Sequence, residues 1–465
     1  MGKKNKILLL FPDGVGIRNY LYSDVVQHLK KDAVLVIWSP LPEAAFEEVK
    51  TLHDLQFEFK QIVLQPENIV TRIFRESATF GRLIVNSKKM KNPTILTNWN
   101  YQPKRIKLKL LNKVAISIGT WASKEYHRIL QLEQKAQNNW NRSLINKYKN
   151  DLAVLNLSSI FIAHQRVAGL MPICIAAKEL GIPRVSAIYS WDNLPKARLA
   201  VQADKYIVWS DYMKEEMLLY YPEIPQKDVL VTGTPQFEFS FKENLFETKA
   251  SFAKSYGLDV SKKWICFSGD DKVTSPNDPL YLKDVMDALL SENKLNEIQL
   301  IFRRCPADFS NRYDSILSEY KNIVSIDPLW HTTQTGWNFF FPKYEDVKLL
   351  VNLAHYCDLV INVGSTMAHD FAILNKPCLY LNYNQNVNLD WKTEVVYNFQ
   401  HFRTMQGIEA VGWLNSPNEI AEKINIALNH PEQVGKDRKK WLEKIVQHPL
   451  EDSSRKIAHV LLNPN

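Results

Sequence analysis

The chain lacks any apolar run approaching the roughly 18 residues that a membrane-spanning helix requires, so no transmembrane segment is expected. Cysteine is scarce. Cys174, Cys266, Cys305, Cys357 and Cys378 are odd in number and widely spaced, with no CxxC pair. That pattern argues against a disulfide framework or a zinc site and favours reduced thiols in a cytoplasmic protein. The start, MGKKNKILLLFPDGVG, is basic and then apolar. Its apolar run spans only Ile7 to Phe11 and ends at Pro12-Asp13-Gly14 without a small-residue cleavage site, which reads as a first strand rather than a signal peptide. Lys6 stands where N-myristoylation of Gly2 needs Ser or Thr. Phosphate-binding glycine fingerprints are missing as well. No Walker sequence occurs, and Gly14 and Gly16 would need a third glycine where Asn19 stands, so NAD is not an expected ligand. No RRM, KH or helix-turn-helix pattern is present, and nucleic acid is not an expected partner. Short-period repeats and low-complexity segments are also absent.

What is present is an ordinary globular composition, 45% apolar and 23% charged, over 465 residues, enough for two domains. Strands and helices alternate twice. In the first half, strands are expected at Lys6–Phe11, Ala33–Trp38, Ser159–Ala163, Arg184–Ile188, Lys205–Val208 and Val229–Val231. Residues 43–60 and 66–92 read as mostly helical, Pro93–Leu96 as a strand, and Trp121–Tyr148 as a long helical stretch. Residues 236–262 contain no clear apolar strand and read as a linker plus a helix. The second half restarts with strands at Trp264–Ser268, Ile298–Phe302 and Ile323–Ile326. Such alternation implies parallel sheets. The expected division is 1–240, 241–440, and a helical tail at 441–465 that can pack back on the first domain. Two α/β halves make a cleft, a preferred ligand site.

Residues 356–383, YCDLVINVGSTMAHDFAILNKPCLYLNY, carry the most information. A buried strand runs into Gly364-Ser365-Thr366, a helix follows, and a turn at Asn375-Lys376-Pro377 leads to a second strand. In open α/β sheets ligands bind at the carboxyl ends of strands. Free N–H groups at the helix start favour phosphate, Ser365 and Thr366 add hydroxyls, and Asp370 stands where a carboxylate would hold a ribose diol. The plain alternative is a βαβ turn with Ser365 as helix cap.

Net charge is +8 and uneven. Lys104, Arg105, Lys107, Lys109 and Lys113 cluster with no acid between them, just after Lys88, Lys89 and Lys91. Such a patch over 88–113 suits an anionic membrane surface or a phosphorylated acceptor, or is a solvated helix face.

With both halves placed, the pattern resembles the two-Rossmann-domain (GT-B) glycosyltransferase fold. VINVGSTMAHDFAILNKPCLYLNY is similar to the donor-site motif of bacterial surface-polysaccharide glycosyltransferases and, more distantly, of CDP-glycerol glycerophosphotransferases. IFRRCPAD is similar to their Arg-x-His-Pro loop, with Cys305 at the histidine position. LVTGTPQFE is similar to the TGxPxxD turn of glycosyltransferases and UDP-GlcNAc 2-epimerases. The resemblance implies an acceptor domain followed by a donor domain. It implies metal-independent transfer from a nucleotide sugar, UDP- or CDP-linked, to a glycan or lipid-linked hydroxyl, with no further cofactor. Arg303, Ser365 and Thr366 would then meet the diphosphate and Asp370 the ribose, although Asp370 departs from the glutamate commoner at that place.

Other residues at strand ends complete the candidate site. Gly364 makes the donor turn, and Arg304 and Lys272 are further phosphate candidates, an arginine being able to grip phosphate bidentately. Gly14, Gly16 and Arg18 follow the first strand and could admit an acceptor, or form a tight βα turn. His164, Asp192 and Asp13 are three candidates for the general base, since each follows an N-domain strand. Asn193 and Lys196 are acceptor candidates, and Asp192-Asn193 could equally be an Asx turn. A ring from Trp330 or the run Trp337–Phe341 would stack on the base or simply pack. CDP-polyol phosphate transfer, UDP-sugar 2-epimerisation and non-catalytic nucleotide-sugar binding stand as the other readings.

Overall fold

The computed structural model describes residues 5–99, 105–332, 340–387 and 390–464. Among these residues the backbone forms two wholly parallel sheets and one two-stranded hairpin. The first sheet comprises β1 (Asn5–Leu10), β2 (Ala33–Ser39), β3 (Glu58–Gln61), β4 (Ser159–Ile162), β5 (Arg184–Ala187), β6 (Lys205–Val208) and β7 (Val229–Val231), in the order β3-β2-β1-β4-β5-β6-β7. The second comprises β8 (Lys263–Ser268), β9 (Ile298–Arg303) and β10 (Val324–Ile326), then β13 (Leu359–Asn362), β14 (Cys378–Leu381) and β15 (Gly412–Leu414). Its order is β10-β9-β8-β13-β14-β15. Between them in sequence, β11 (Trp330–Thr332) and β12 (Phe340–Pro342) pair antiparallel.

A parallel sheet covered on both faces needs strands that are apolar on both sides. β1 meets this with consecutive leucines. Ile7 and Leu9 enter a cluster with Val26 and Leu29, while Leu8 and Leu10 enter another with Leu152 and Ile173. Burying each such side chain contributes about 2 kcal/mol. The chain closes on this domain. In the last helix (Ser453–Leu462) Ile457, Ala458 and Leu461 are buried in the Ile7–Leu9 cluster, and Ser159 Oγ donates to the Leu461 carbonyl at 2.8 Å.

The first sheet's helical cover includes α1 (Ile69–Met90), α2 (Ile106–Ala122) and α3 (Tyr126–Asn138). α1 and α2 approach closely at Gly81 and Gly119, where a Cβ on Gly119 would lie 2.6 Å from the Ser77 carbonyl oxygen. The second domain's site is framed by α4 (Tyr344–Tyr356), α5 (Met367–Ile373) and α6 (Arg438–Ile445).

Several elements differ from the sequence expectation. Pro93–Leu96 lies in a 3-10 segment, Pro93–Trp99, not a strand, because Asn92 Oδ1 accepts from both the N–H and the hydroxyl of Thr94 and bends the chain. Residues 43–60 end in edge strand β3 rather than continuing as helix. The 121–148 stretch is broken where Asn141 caps a new helix, accepting from Ser143 N at 2.9 Å. The three-residue strands β11, β12 and β15 are too short to show a period of two in the sequence.

Candidate active site

Each sheet reverses its strand order once, and loops diverge there to leave a crevice at the carboxyl ends. In the first sheet the reversal falls between β1 and β4, so Asp13 and His164 meet. Asp13 Oδ2 lies 2.6 Å from His164 Nδ1, and Asp13 Oδ1 accepts from Gly16 N at 3.3 Å. The imidazole stacks on Tyr189 at 4.1 Å between ring centres, and its buried Nε2 has no partner among the described residues. In the second sheet the reversal falls between β8 and β13, which places Ser268-Gly269-Asp270 beside Gly364-Ser365-Thr366. The second reversal borders a cleft of about 590 Å³, whose first-domain wall includes Arg18, Asn98 and, in the loop after β5, Ser190, Trp191 and Asp192.

The donor-side turn is built tightly. Gly364 has φ of +72°, a region that other residues avoid, and a Cβ there would lie 2.8 Å from the Phe402 ring. Asn362 Oδ1, at the end of β13, accepts from Ser365 N at 2.8 Å and fixes the turn before α5. Arg303, at the end of β9, lines the cleft while buried. Its Nη2 donates to Asp346 at 2.6 Å, and its buried Nη1 has no partner among the described residues. Arg304 also lines the cleft, engaged with the Ser310 carbonyl at 2.7 Å and with Asp327 at 3.3 Å. From the first domain Arg18 reaches the same cleft and makes no ion pair or hydrogen bond among the described residues.

The carboxyl groups in the cleft differ in charge state. Burial pushes Asp370 up to about 7 against the pull of Arg18. Burial, with Asp278 and Asp271 nearby, pushes Asp270 up to about 8. Burial would also raise Asp192, but its ion pair with Lys196 holds it well below the usual carboxylate range. His401, which lies against Trp191, is lowered by burial to about 4 and is neutral at pH 7. Among the described residues no group of three or more His, Cys, Asp or Glu side chains is arranged to hold a metal ion.

Solved structures share this architecture over essentially the whole chain. A UDP-GlcNAc 2-epimerase from Neisseria meningitidis, bound to UDP-GlcNAc, superposes with a TM-score of 0.53 at 14% identity, covering 98% of this chain and 100% of that one. A UDP-GlcNAc 2-epimerase from Methanocaldococcus jannaschii gives 0.54 at 12% identity, covering 99% and 100%. A glycosyltransferase from Rickettsia africae gives 0.51 at 10% identity, covering 99% and 98%. The chain has the GT-B fold. No family model matches it, and no curated protein sequence does.

Within this GT-B cleft the structure gathers Arg18, Asp192, Arg303, Arg304, Gly364, Ser365, Thr366 and Asp370 on one wall system. Lys196 lines the cleft too, paired with Asp192, whereas the other sequence candidates do not. Asp13 and His164 lie outside the lining, with Tyr189 stacked on the imidazole. Gly14 is closed off, since a Cβ there would lie 2.5 Å from the Phe341 Cα and closer still to the Phe340 carbonyl oxygen, so the hairpin fills the space an acceptor would need. Gly16 packs on Phe11 and Ala163. Asn193 is buried and holds its own turn, donating to Asp192 at 2.8 Å and accepting from Gln165 at 3.2 Å. Lys272 is exposed and outside the lining. Trp330 Nε1 donates to Asp346 at 2.8 Å, so that ring buttresses the Arg303 partner, while Trp337–Phe339 lie outside the described residues, as does Lys104. Sequence reasoning missed Asn98, Trp191, Gln400, His401 and Phe402, all in the cleft wall. They stand on short 3-10 segments or, for Trp191, a turn, and only the polar-aromatic run Gln400-His401-Phe402 after β14 offered a signal.

Proposed function

We infer that the cleft binds a nucleotide-activated sugar and that the protein transfers the sugar to a hydroxyl acceptor, as in surface polysaccharide or glycolipid assembly. The observation that carries this reading is the convergence of Arg303 Nη1, unpaired Arg18 and the Ser365-Thr366 turn on one cleft. A leaving diphosphate needs oriented donors that are already in place, because donors that need not reorganise stabilise developing charge best. A guanidinium with one face fixed on Asp346 is such a donor. The GT-B structure from Neisseria meningitidis was solved with UDP-GlcNAc bound, which supports a nucleotide sugar as the ligand class.

Of the three candidate bases, His164 has the geometry of an oriented one. Asp13 fixes Nδ1 as the protonated nitrogen and leaves Nε2 as the acceptor. Asp192 is held as an anion by Lys196 and is a poor proton acceptor. In this reading the acceptor hydroxyl must approach Nε2, which is buried just outside the cleft lining.

A second reading, 2-epimerisation of a UDP-sugar, is favoured by Asp270 and Asp370. Inverting a carbon needs groups that take a proton from one face and return one to the other, and carboxyls near 7 and 8 can do either at neutral pH. Incubation with UDP- and CDP-sugars separates the readings. Nucleotide release that requires an added glycan or lipid-linked acceptor supports transfer. A C2-epimeric sugar formed without an acceptor, with UDP still attached or released by water, supports epimerisation. Neither release nor a C2 epimer under any of these conditions rejects both.

A further inference from the structure

Residues 77–124 contain no Asp or Glu and ten Lys and Arg, so they account for more than the whole chain's +8. The described residues among them form the end of α1, the 3-10 segment Pro93–Trp99, and α2, which rests on α1 along Leu111, Ala115, Gly119 and Ala122. Arg82 is buried and paired with Glu133 and Glu223, and the cations of α2 stay at the surface. The opposite face of α2 is apolar where solvent should favour polar side chains. Ile106 is 83% exposed and Leu110 63%, one turn apart, with Val114 and Trp121 continuing the ridge. Arg105, Lys107, Lys109 and Lys113 flank it, all exposed and without an ion pair among the described residues. An apolar ridge edged by cations is what a helix presents when it lies in the boundary between lipid headgroups and acyl chains.

We propose that the exposed face of α2 docks on an anionic membrane surface. Charge decides the occupant. A second copy of this chain would bring Arg105, Lys107, Lys109 and Lys113 against the same four cations, with no acid in this stretch of sequence to meet them, whereas an acidic headgroup layer complements the flank while its hydrocarbon accepts Ile106 and Leu110. The surface is also close to the cleft. Asn98 lines the cleft, and Arg105 opens α2 only seven residues later, so the helix start lies within about 25 Å of it. Asn92 and Thr94 tie this connection to the second domain through the Asn398 carbonyl. A docked α2 therefore holds the cleft near lipid-borne substrates. The docking itself holds whichever reaction the cleft performs.

The test is co-sedimentation of the full chain with vesicles of phosphatidylcholine alone, or with about one-third phosphatidylglycerol, at low and at raised salt. The protein is expected on the anionic vesicles only, and less of it at raised salt. The combined Lys107→Gln, Lys109→Gln and Lys113→Gln substitution should weaken partitioning about 100-fold, roughly fivefold per lysine. Ile106→Gln with Leu110→Gln should weaken it about tenfold or more. Both sets of side chains are exposed, so unchanged melting temperatures check that the variants fold. Equal binding to both vesicle types, binding to neither, or wild-type binding by both variants would overturn the proposal. So would a dimer in the absence of vesicles that Ile106→Gln with Leu110→Gln dissociates, since the face would then belong to self-association.

Discussion

Replacing Asp346 by Asn should unfold the second domain early while leaving the shape of the site almost intact. The Asp346 carboxylate accepts from Arg303 Nη2 at 2.6 Å, Leu329 N at 2.8 Å and Trp330 Nε1 at 2.8 Å. Both side chains of the ion pair are buried, at 5% and 2% exposure. An amide keeps the volume but leaves the guanidinium with no compensating charge, and breaking a buried pair from one side costs about 3–5 kcal/mol. For a domain of roughly 200 residues, where 1 kcal/mol is worth about 2–4 °C, the melting temperature should fall by about 10 °C. Burial would raise Asp346, but Arg303 holds it below its ordinary value. Its contribution is therefore complete above the unfolded carboxyl pKa of about 3.9 and is lost as pH falls through the folded value. The gap between wild type and variant should shrink below pH 4. Arg303→Lys is the complementary change. It keeps the charge for Asp346 and removes the second arm of the fork, so melting should shift little while UDP or CDP affinity falls about 10- to 100-fold. Scanning fluorimetry across pH and titration calorimetry read the two effects separately. Melting of Asp346→Asn within about 2 °C of wild type would refute the pair's structural role, and unchanged nucleotide affinity in Arg303→Lys would remove Nη1 from the donor site.

Four further outcomes are expected. His164→Ala should lower turnover by about a hundredfold or more with nucleotide affinity retained, and Asp13→Asn should lower it less, because the amide no longer fixes the protonated nitrogen; turnover assays beside calorimetry check both. Gly14→Ala must displace the β11–β12 hairpin and should cost about 1–3 kcal/mol, read as a lower melting temperature; an unshifted transition would mean the hairpin yields freely. Asp270 binds its proton more tightly folded than unfolded, so wild-type stability falls as pH rises from about 4 to about 8. Asp270→Asn, which mimics the protonated form, should therefore gain on wild type in melting temperature between pH 5 and pH 8, and a constant difference would refute the raised pKa. Asp370→Asn separates the two functional readings. It should raise KM with modest change in kcat if the group holds a ribose, and abolish turnover with nucleotide binding kept if the group moves a proton.

The fold was legible where local chemistry is strong. The apolar run Ile7–Leu10 is buried on both faces, which a strand at the centre of a parallel sheet requires, and Gly364-Ser365-Thr366 marks its turn because the backbone there enters a region only glycine takes easily. Legibility ended where meaning depends on partners distant in sequence. Gly14 looked like room for a ligand, but the space is filled by Phe340 and Phe341, more than 300 residues on. Asp192 looked like a base until Lys196, one turn away, was seen to hold its charge. His401 and Asn98 lie on short 3-10 segments, where neither period 2 nor period 3.6 announces a wall residue.

The cations of the cleft show how the two domains divide the work. On the second domain Arg303 and Arg304 are each anchored to a carboxylate or carbonyl, so they stand in place before any ligand arrives. On the first domain Lys196 is spent on Asp192, while among the described residues Arg18 makes no ion pair and acts on Asp370 electrostatically. A diphosphate entering the cleft therefore finds a rigid donor surface on one side and one unpaired cation on the other. Its charge would draw Arg18 toward the second domain and away from Asp370. Losing that cation raises the Asp370 pKa further, because Arg18 is what holds it down. On the proposed reading, nucleotide binding and the protonation of Asp370 would thus be coupled through a side chain that belongs to the opposite domain.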